Sequence, residues 1–421
     1  MNSKRHEISL YVHIPFCTFK CFYCDFNTYA GLEGLIPSYV EGLNVEISRW
    51  GTVLSNGHSN EDKFIVKSVF FGGGTPSLLN GNQLESIMNT ISANFSFSKD
   101  LEITLEANPE SIETQKISDY RSAGVNRVSI GGQSTKNSEL IMLGRLHNEN
   151  QLTQAFMNVQ KAKIENINID FMYNLPGQTT QDWVDTLSDA VNFEADHLSL
   201  YGLTVEENTP FYSSINNGDL PKPDDDIGAI MYEIAQEKLD SSGYTQYEIS
   251  NWAKPNKESV HNLHYWENGD FIGFGPGAFS HLGKTRFSNI RQPREYLKRI
   301  ERLEKERSLQ EISFDFSSGT DKNLLSAISP LDEFDPYSTV KEVKEATILN
   351  LRLNAGIDLI QFEELYQINL TTIFENAIET SISDKLLLLE DGNLKLTDKG
   401  RLLSNEVFVR IMNEKDSIVE K

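Results

Sequence analysis

The chain has 421 residues, a formal net charge of −23 at pH 7, 39% hydrophobic residues and 24% charged residues. This composition is typical of a globular protein with more than one domain, and its acidic balance excludes broad nucleic-acid binding, because few cations are free to neutralise phosphates. Since no apolar run reaches the roughly 18–20 residues of a membrane span and the N-terminus lacks the apolar core of a signal peptide, we expect a cytoplasmic protein.

Three cysteines, Cys17, Cys21 and Cys24, lie within eight positions in the spacing C-x3-C-x2-C. Soft thiolates favour iron–sulfur clusters. A structural zinc usually takes four ligands, and three cysteines cannot pair completely into disulfides. Three thiolates on a [4Fe–4S] cluster would leave one iron open to a non-protein ligand. The alternative is that the cysteines are small apolar residues near a strand end.

Apolar runs alternate with helical patterns over residues 9–205, which predicts a parallel sheet buried on both faces and an α/β fold. The predicted strands are Ser9–Pro15, Ser68–Phe71, Glu102–Ala107, Arg127–Ile130, Ile167–Tyr173 and His197–Leu203. The predicted helices between them are Pro37–Trp50, Gln83–Phe95, Ile112–Ala123, Gln151–Lys163 and Thr180–Phe193. Six such units are too few for an eight-fold barrel, and ligands are expected at the carboxyl ends of the strands.

The segment HIPFCTFKCFYCDF resembles the opening motif of the radical S-adenosylmethionine (radical SAM) superfamily. The resemblance implies a partial (β/α)6 barrel, a [4Fe–4S] cluster on Cys17, Cys21 and Cys24, and SAM bound to the open iron. It also implies that Tyr23 contacts the adenine of SAM.

Residues just past the predicted strands extend this resemblance. In FFGGGTP, glycines let backbone N–H groups approach a ligand closely, although glycine triplets also occur in tight turns. The resemblance implies SAM contacts for these residues, with Tyr11 just outside the SAM site: Gly73, Gly74, Thr75, Glu106, Gln133, Arg145 and Asp170. Each residue alone is also compatible with a helix cap or a surface charge.

A polar connection at residues 216–226 predicts a boundary between a core of residues 1–225 and a segment of residues 226–309. Within that segment, HNLHYW (261–266) resembles the HNxxYW signature of heme-binding members of the oxygen-independent coproporphyrinogen III oxidase family. His261 is therefore the candidate axial heme ligand, and Tyr265 and Trp266 could pack against a porphyrin. The alternative is a buried structural histidine. His264 is expected to be incidental.

Residues 310–421 are predicted to form a C-terminal winged-helix-like α+β domain. The predicted helices are Lys341–Leu353, Ile360–Tyr366 and Thr372–Ser381, followed by a hairpin at residues 386–397. A final helix, Asp398–Met412, is predicted to be capped by Thr397. It lacks a basic face, which favours contact with protein or substrate over DNA. The basic cluster at residues 291–307 interleaves lysine and arginine with glutamate and is typical of a solvated helix face, with a phosphate or membrane-surface patch as the other reading.

Two functions fit the resemblance. The first is a heme chaperone that passes heme to a target protein, such as a membrane-associated respiratory enzyme, and retains the capacity to cleave SAM. The second is oxygen-independent coproporphyrinogen III dehydrogenase. Relatives with that activity have a cysteine where this chain has Phe26, and a long segment before the cluster motif where this chain has sixteen residues before Cys17. HNLHYW and Phe26 favour the chaperone. A scaffold without a cluster is a third reading, and a homodimer is compatible with the sequence.

Overall fold

The computed structural model describes residues 6–56, 64–306, 309 and 321–414. The strands in these residues form one large sheet and two small ones. In chain order they are β1 Glu7–Ile14, β2 Phe16–Cys17, β3 Tyr29–Ala30, β4 Ile65–Gly73, β5 Ser96–Ala107, β6 Arg127–Gln133, β7 Asn166–Tyr173, β8 His197–Gly202, β9 Thr245–Glu248, β10 Asn251–Ala253, β11 Phe271–Phe274, β12 Phe279–Leu282, β13 Thr285–Asn289, β14 Leu331–Pro336, β15 Ile357–Asp358, β16 Leu387–Glu390 and β17 Asn393–Leu396.

The α-helices connect and cover these strands, and none in the described ranges is long and apolar enough to cross a bilayer. In chain order they are α1 Ile36–Ser55, α2 Gly81–Asn94, α3 Thr114–Ser122, α4 Asn137–Leu143, α5 Glu149–Lys161, α6 Thr180–Asn192, α7 Pro210–Asn216, α8 Asp225–Ser241, α9 Val260–Trp266, α10 Pro293–Glu306, α11 Lys322–Ile328, α12 Thr339–Asn350, α13 Leu359–Tyr366, α14 Leu370–Ile373, α15 Glu375–Ser383, α16 Asp398–Leu402 and α17 Ser404–Asn413.

The large sheet has the strand order β14-β13-β12-β11-β1-β4-β5-β6-β7-β8-β10-β9. The run from β1 to β8 is parallel throughout and consists of the six strands predicted from the sequence. The α/β fold class is therefore confirmed. Because parallel strands end at the same edge, the residues that follow them are brought together there.

A seventh parallel strand, β11, lies on the other side of β1 and was not predicted. It pairs in register, with Tyr11 opposite Gly273 and Val12 opposite Phe274. β12, β13 and β14 then continue the sheet in antiparallel fashion. This pairing brings the segment that follows β11 next to the segment that follows β1.

Residues 226–309 contribute strands to both sides of the parallel run. β10 pairs antiparallel with β8, β9 pairs with β10, and β11 pairs with β1. Buried side chains of this segment, such as Met231 and Ile272, belong to the same hydrophobic core as β1 and β4. The domain limits at residues 225 and 309 stay predictions, and this segment shares the sheet and core of the residues before it.

Helix α1 shows how the sequence builds this core. Its apolar residues recur at intervals of three and four, and Tyr39, Leu43, Ile47, Trp50 and Val53 are all fully buried. Trp50 stacks on Phe287 of β13 with 5.8 Å between ring centroids. Full burial of each large apolar side chain contributes roughly 1.5–3 kcal/mol, so this face fixes α1 firmly on the sheet.

The C-terminal residues form a compact unit with its own apolar core, built from α12–α17 and a small sheet of order β15-β17-β16. The predicted hairpin is present as β16 and β17. Thr397 caps the following helix by accepting a hydrogen bond from the Gly400 amide. The predicted final helix is divided, because α16 ends at Leu402 and α17 begins at Ser404.

A buried carboxylate joins α1 to the segment after β11. Glu46 accepts hydrogen bonds from the Gly275 amide at 2.9 Å, the Asn289 side-chain amide at 2.7 Å and the Tyr296 hydroxyl at 2.6 Å. Burial nevertheless raises the pKa of Glu46 to about 7, because the three hydrogen bonds only partly offset the loss of hydration. The folded protein therefore holds a proton on Glu46 at a pH where the unfolded chain has lost it.

This difference predicts a pH-dependent stability. Below about pH 4.5 Glu46 is protonated in both states, and the free energy of unfolding should decrease as pH rises towards about 7. Glu46→Gln, which cannot ionise, should remove up to about 3 kcal/mol of this decrease. Urea unfolding at several pH values would measure it, with Glu41→Gln on the exposed face of α1 as the control. Equal pH profiles for the wild type and Glu46→Gln would contradict the prediction.

Candidate functional site

The three cysteines lie in the loop between β1 and α1, at the edge where the parallel strands end. Cys17 is buried at the end of β2, and Cys21 and Cys24 are partly exposed. All three line one cavity. Within the described residues, no group of three or more His, Cys, Asp or Glu side chains is arranged around a single metal ion. Three thiols on the wall of one cavity are a donor set that fits an iron–sulfur cluster.

Residues that follow successive parallel strands line the same cavity, as expected from the common direction of these strands. Its walls include these residues predicted from the sequence: Tyr23, Gly73, Gly74, Thr75, Glu106, Gln133, Arg145 and Asp170. Tyr11 does not line this cavity and lies at a neighbouring one described below.

Gly73 and Gly74, where β4 ends, lie so close to neighbouring residues that a side chain would not fit there. Gly73 has φ +114°, and a Cβ built on it would lie 2.6 Å from the His13 ring. A Cβ on Gly74 would lie 2.6 Å from the Phe16 carbonyl oxygen and 3.0 Å from the Cys17 sulfur. Larger residues at either position would therefore push the glycine loop away from the cysteine loop.

Two buried carboxylates, Glu106 and Asp170, line this cavity, and neither forms a salt bridge with another described residue. Glu106 accepts a hydrogen bond from the Gly73 amide at 3.0 Å, and Asp170 accepts one from Ser129 at 3.1 Å and one from Asn168 at 2.7 Å. Burial raises the pKa of Asp170. Burial, followed by repulsion from Asp170, raises the pKa of Glu106 to about 8. Because burial disfavours the ionised form of both groups, a cation bound beside them would lower their pKa values and be stabilised in return.

Arg145 is held in place by neighbours rather than free. Its guanidinium donates to the Asn108 side-chain oxygen at 2.7 Å and the Gly131 carbonyl at 2.8 Å, and it lies 3.5 Å from the Cys21 sulfur. Its Nε is buried without a hydrogen-bond partner among the described residues. Gln133 has φ +66°, a strained backbone conformation for a residue with a side chain, and strain of this kind often marks a functional position.

A second cavity of about 450 Å³ adjoins the first, within the size range of small-molecule sites. Gly73, Glu106 and Phe26 line both cavities. The other walls are mainly aromatic, and the remaining lining residues are Tyr11, His13, Asn27, Tyr265, Phe271, Gly277, Phe279 and Arg291. Most of this cavity was not predicted, because it depends on the pairing of β11 with β1.

His13 and Asn27 connect the cysteine loop to that distant segment. His13 Nε2 donates to the Asn27 carbonyl at 2.9 Å, so Nδ1 of the neutral ring accepts from the Tyr11 hydroxyl at 3.0 Å. The Asn27 side-chain amide donates to the carbonyls of Pro276 at 2.9 Å and Arg291 at 3.1 Å. No local sequence signal predicts contacts between residues about 250 positions apart.

His261 lies on α9, whose N-terminus is fixed by a buried acid. Glu102 of β5 accepts hydrogen bonds from the backbone amides of Val260 and His261, each at 3.1 Å. His261 Nδ1 lies 2.8 Å from the Ser68 hydroxyl. These contacts hold the imidazole against the interior face of the sheet.

The His261 ring is enclosed by aromatic side chains. It lies 4.9 Å from the Phe70 ring and 4.5 Å from the Tyr265 ring, and only 2% of the residue is exposed. Burial lowers the pKa of His261 to about 3, so the imidazole is neutral. Its Nε2 is buried without a hydrogen-bond partner in the described structure. His261 does not line the second cavity, whereas Tyr265, which contacts it, does.

His264 has a structural contact. Its Nε2 lies 2.7 Å from the Asp270 carbonyl oxygen, which fixes α9 against the start of β11. The residue is buried and does not line the second cavity. Of the two histidines of α9, only His261 has a fully buried ring nitrogen without a hydrogen-bond partner within the described residues.

Comparison with known proteins agrees with this geometry. The radical SAM superfamily model matches residues 11–190, and the HemN C-terminal domain model matches residues 341–403. The heme chaperone HemW of Bacillus subtilis is 33% identical over 407 residues, covering 96% of this chain and 99% of that protein. HemW of Escherichia coli is 36% identical over 351 residues, covering 80% of this chain and 88% of that protein.

A solved structure shares the fold. It is coproporphyrinogen III oxidase (HemN) from Escherichia coli, described as a radical SAM enzyme, with a TM-score of 0.79 and 22% identity. The match covers 98% of this chain and 91% of that one. The similarity in sequence to the chaperones runs through the cysteine loop, the strand ends and the C-terminal unit, and the chain belongs to the HemW heme chaperone family within the radical SAM superfamily.

Proposed function

We propose that this protein is a heme chaperone that carries a [4Fe–4S] cluster and SAM, binds heme in the aromatic second cavity and delivers it to a target protein, such as a membrane-associated respiratory enzyme. The observation that carries the proposal is the shared wall, since Gly73, Glu106 and Phe26 line both the cysteine cavity and the aromatic cavity. Heme is proposed as the cargo because the HemW relatives are named heme chaperones.

In this proposal Cys17, Cys21 and Cys24 hold three irons of the cluster, and SAM occupies the fourth. When bound, a reduced cluster and SAM supply one-electron chemistry that can cleave a sulfur–carbon bond of SAM. The cationic amino and sulfonium groups of SAM complement the two carboxylates, Glu106 and Asp170, which have no cationic partner in the described structure. Because Gly73 and Gly74 lack side chains, their backbone lies close to His13 and Cys17, beside the cavity in which we place the amino-acid end of SAM.

Heme is bound as cargo. The aromatic walls of the second cavity suit the flat, apolar faces of a porphyrin. A hydrogen bond from Nδ1 of His261 to Ser68 would leave the lone pair on Nε2 for iron, the usual arrangement of a ligating histidine. Because Tyr265 contacts the ring and His261 is buried, coordination requires Tyr265 or α9 to shift towards the cavity.

The second candidate function is coproporphyrinogen III dehydrogenase, since a tetrapyrrole in the aromatic cavity would lie beside the SAM cavity. Phe26 argues against it. This side chain is 68% exposed and lines both cavities, at the position where the resemblance places a cysteine in the dehydrogenases. A phenyl ring can neither exchange a proton nor ligate a metal, so Phe26 cannot take the place of a cysteine thiol.

A single preparation tests both functions. After anaerobic reconstitution with iron and sulfide, the protein should hold a cluster, bind heme in a titration followed by absorbance, and form no protoporphyrinogen from coproporphyrinogen III, SAM and a reductant. A variant with all three cysteines replaced by alanine is the control for cluster loading. Protoporphyrinogen formation would replace the chaperone proposal with the dehydrogenase, and a lack of bound iron and sulfide would favour a scaffold without a cluster.

Glu106→Gln should weaken SAM binding about ten- to a hundredfold, because a hydrogen bond to a charged group contributes about 1.5–3 kcal/mol. Equilibrium dialysis of SAM against the reconstituted protein under anaerobic conditions measures this. Glu113→Gln removes an exposed carboxylate outside the cavity and should leave the affinity unchanged. Wild-type affinity in a fully cluster-loaded Glu106→Gln variant would contradict the assignment.

His261→Ala should abolish stable heme binding, because the neutral imidazole is the proposed iron ligand, while the absorbance of the iron–sulfur cluster stays unchanged. His264→Ala is the matched control, since it removes a buried histidine from the same helix whose ring nitrogen contacts the Asp270 carbonyl. Heme titration followed in the Soret region measures both variants. Undiminished heme affinity in His261→Ala would exclude this residue as the ligand.

A further inference from the structure

Arg291 stands apart from the other lining residues of the aromatic cavity. Its backbone is fixed, because its carbonyl accepts hydrogen bonds from the Asn27 side chain at 3.1 Å and the Tyr29 hydroxyl at 3.2 Å. Its side chain is exposed, and within the described residues the guanidinium forms no hydrogen bond or salt bridge. A cation on a fixed backbone, with its donors unused, therefore lies at the edge of an apolar cavity.

The other ionisable lining residues do not supply a positive charge. Burial lowers the pKa of His13 to about 4, and both of its ring nitrogens are already hydrogen bonded. Glu106 belongs to the wall shared with the SAM cavity and is acidic. Among the described lining residues of the aromatic cavity, Arg291 is thus the one lasting cation at neutral pH.

The net charge of the protein makes this cation significant. With a net charge of −23 the chain as a whole repels an anionic ligand, so a local cation that opposes this field favours the binding of a carboxylate. An arginine fork matches a carboxylate with two parallel hydrogen bonds, which gives direction as well as attraction.

We propose that Arg291 binds a propionate carboxylate of the tetrapyrrole whose ring fills the aromatic cavity, and so determines which edge of the ring faces solvent. The inference rests on the proposed heme cargo. It assigns the ring to the wall of Tyr265 and Phe271, and the propionate edge to the outer side at Arg291. A tetrapyrrole without free carboxylates would fit the same walls and lose this contact.

Comparison of heme with heme dimethyl ester, in which both propionates are esterified, tests the contact. The wild-type holoprotein should bind heme about five- to tenfold more tightly than the ester in the same detergent buffer, as expected for one charge-assisted hydrogen-bonded pair at a partly exposed site. Arg291→Gln should lose this preference by weakening heme binding and leaving ester binding unchanged. Arg291→Lys, which keeps the charge without the fork, should restore part of it.

Arg294→Gln is the matched control, because it removes an exposed arginine three residues further on and changes the net charge equally. It should retain the wild-type preference. Equal binding of heme and its ester by the wild type, or an unchanged preference in Arg291→Gln, would overturn the role of Arg291 while leaving the chaperone proposal intact. If the wild type binds neither ligand, the chaperone proposal fails and the role of Arg291 fails with it.

Discussion

The parallel pairing of β11 with β1 determines how the two cavities meet. It joins strands about 260 residues apart in the chain and sets Tyr11 opposite Gly273. β1 leads directly into the cysteine loop, and β11 leads into the segment that carries Gly277 and Phe279. Because both strands run in the same direction, these two continuations emerge at the same edge of the sheet, where Asn27 links them through hydrogen bonds. This pairing places Phe271 and Phe279 in the cavity next to the cysteine cavity.

The two cavities differ in the charge of the residues that line them. The cysteine cavity contains buried carboxylates without cationic partners in the described structure, Glu106 and Asp170, which suit a cationic cofactor. The aromatic cavity carries Arg291 at its outer edge and suits a ligand with an anionic end. Glu106 lies on the shared wall, so the ionisation of one carboxylate affects both cavities. Glu46 is also buried, but it accepts hydrogen bonds from Gly275, Asn289 and Tyr296 and joins α1 to the segment after β11.

Local patterns were sufficient to predict the six parallel strands and the convergence of the residues that follow them. The strands are apolar runs bounded by turn residues, and their common direction then requires that Gly73, Glu106 and Asp170 meet. β11 was missed because a four-residue apolar run carries little signal and its partner strand is distant in sequence. Arg291 and Asn27 were not recognised as cavity residues, because their position at the cavity depends on the pairing of β11 with β1. The motif identified His261, but its enclosure by Phe70 and Tyr265 depends on how α9 packs against β4, which no sequence period encodes.

The last turn of α9 is also where the C-terminal unit makes contact. The Asn350 side chain donates to the Trp266 carbonyl at 2.8 Å, and the Arg352 guanidinium lies 4.5 Å from the Trp266 ring centroid. Asn268, two residues past α9, donates to the Tyr366 hydroxyl at 3.2 Å. The helix that carries His261 is therefore clamped at both ends, by Glu102 at its start and by the C-terminal unit at its finish. Contacts from β5 and from the C-terminal unit therefore both fix the position of α9, so a change in the packing of the C-terminal unit would alter the support of the helix that carries His261.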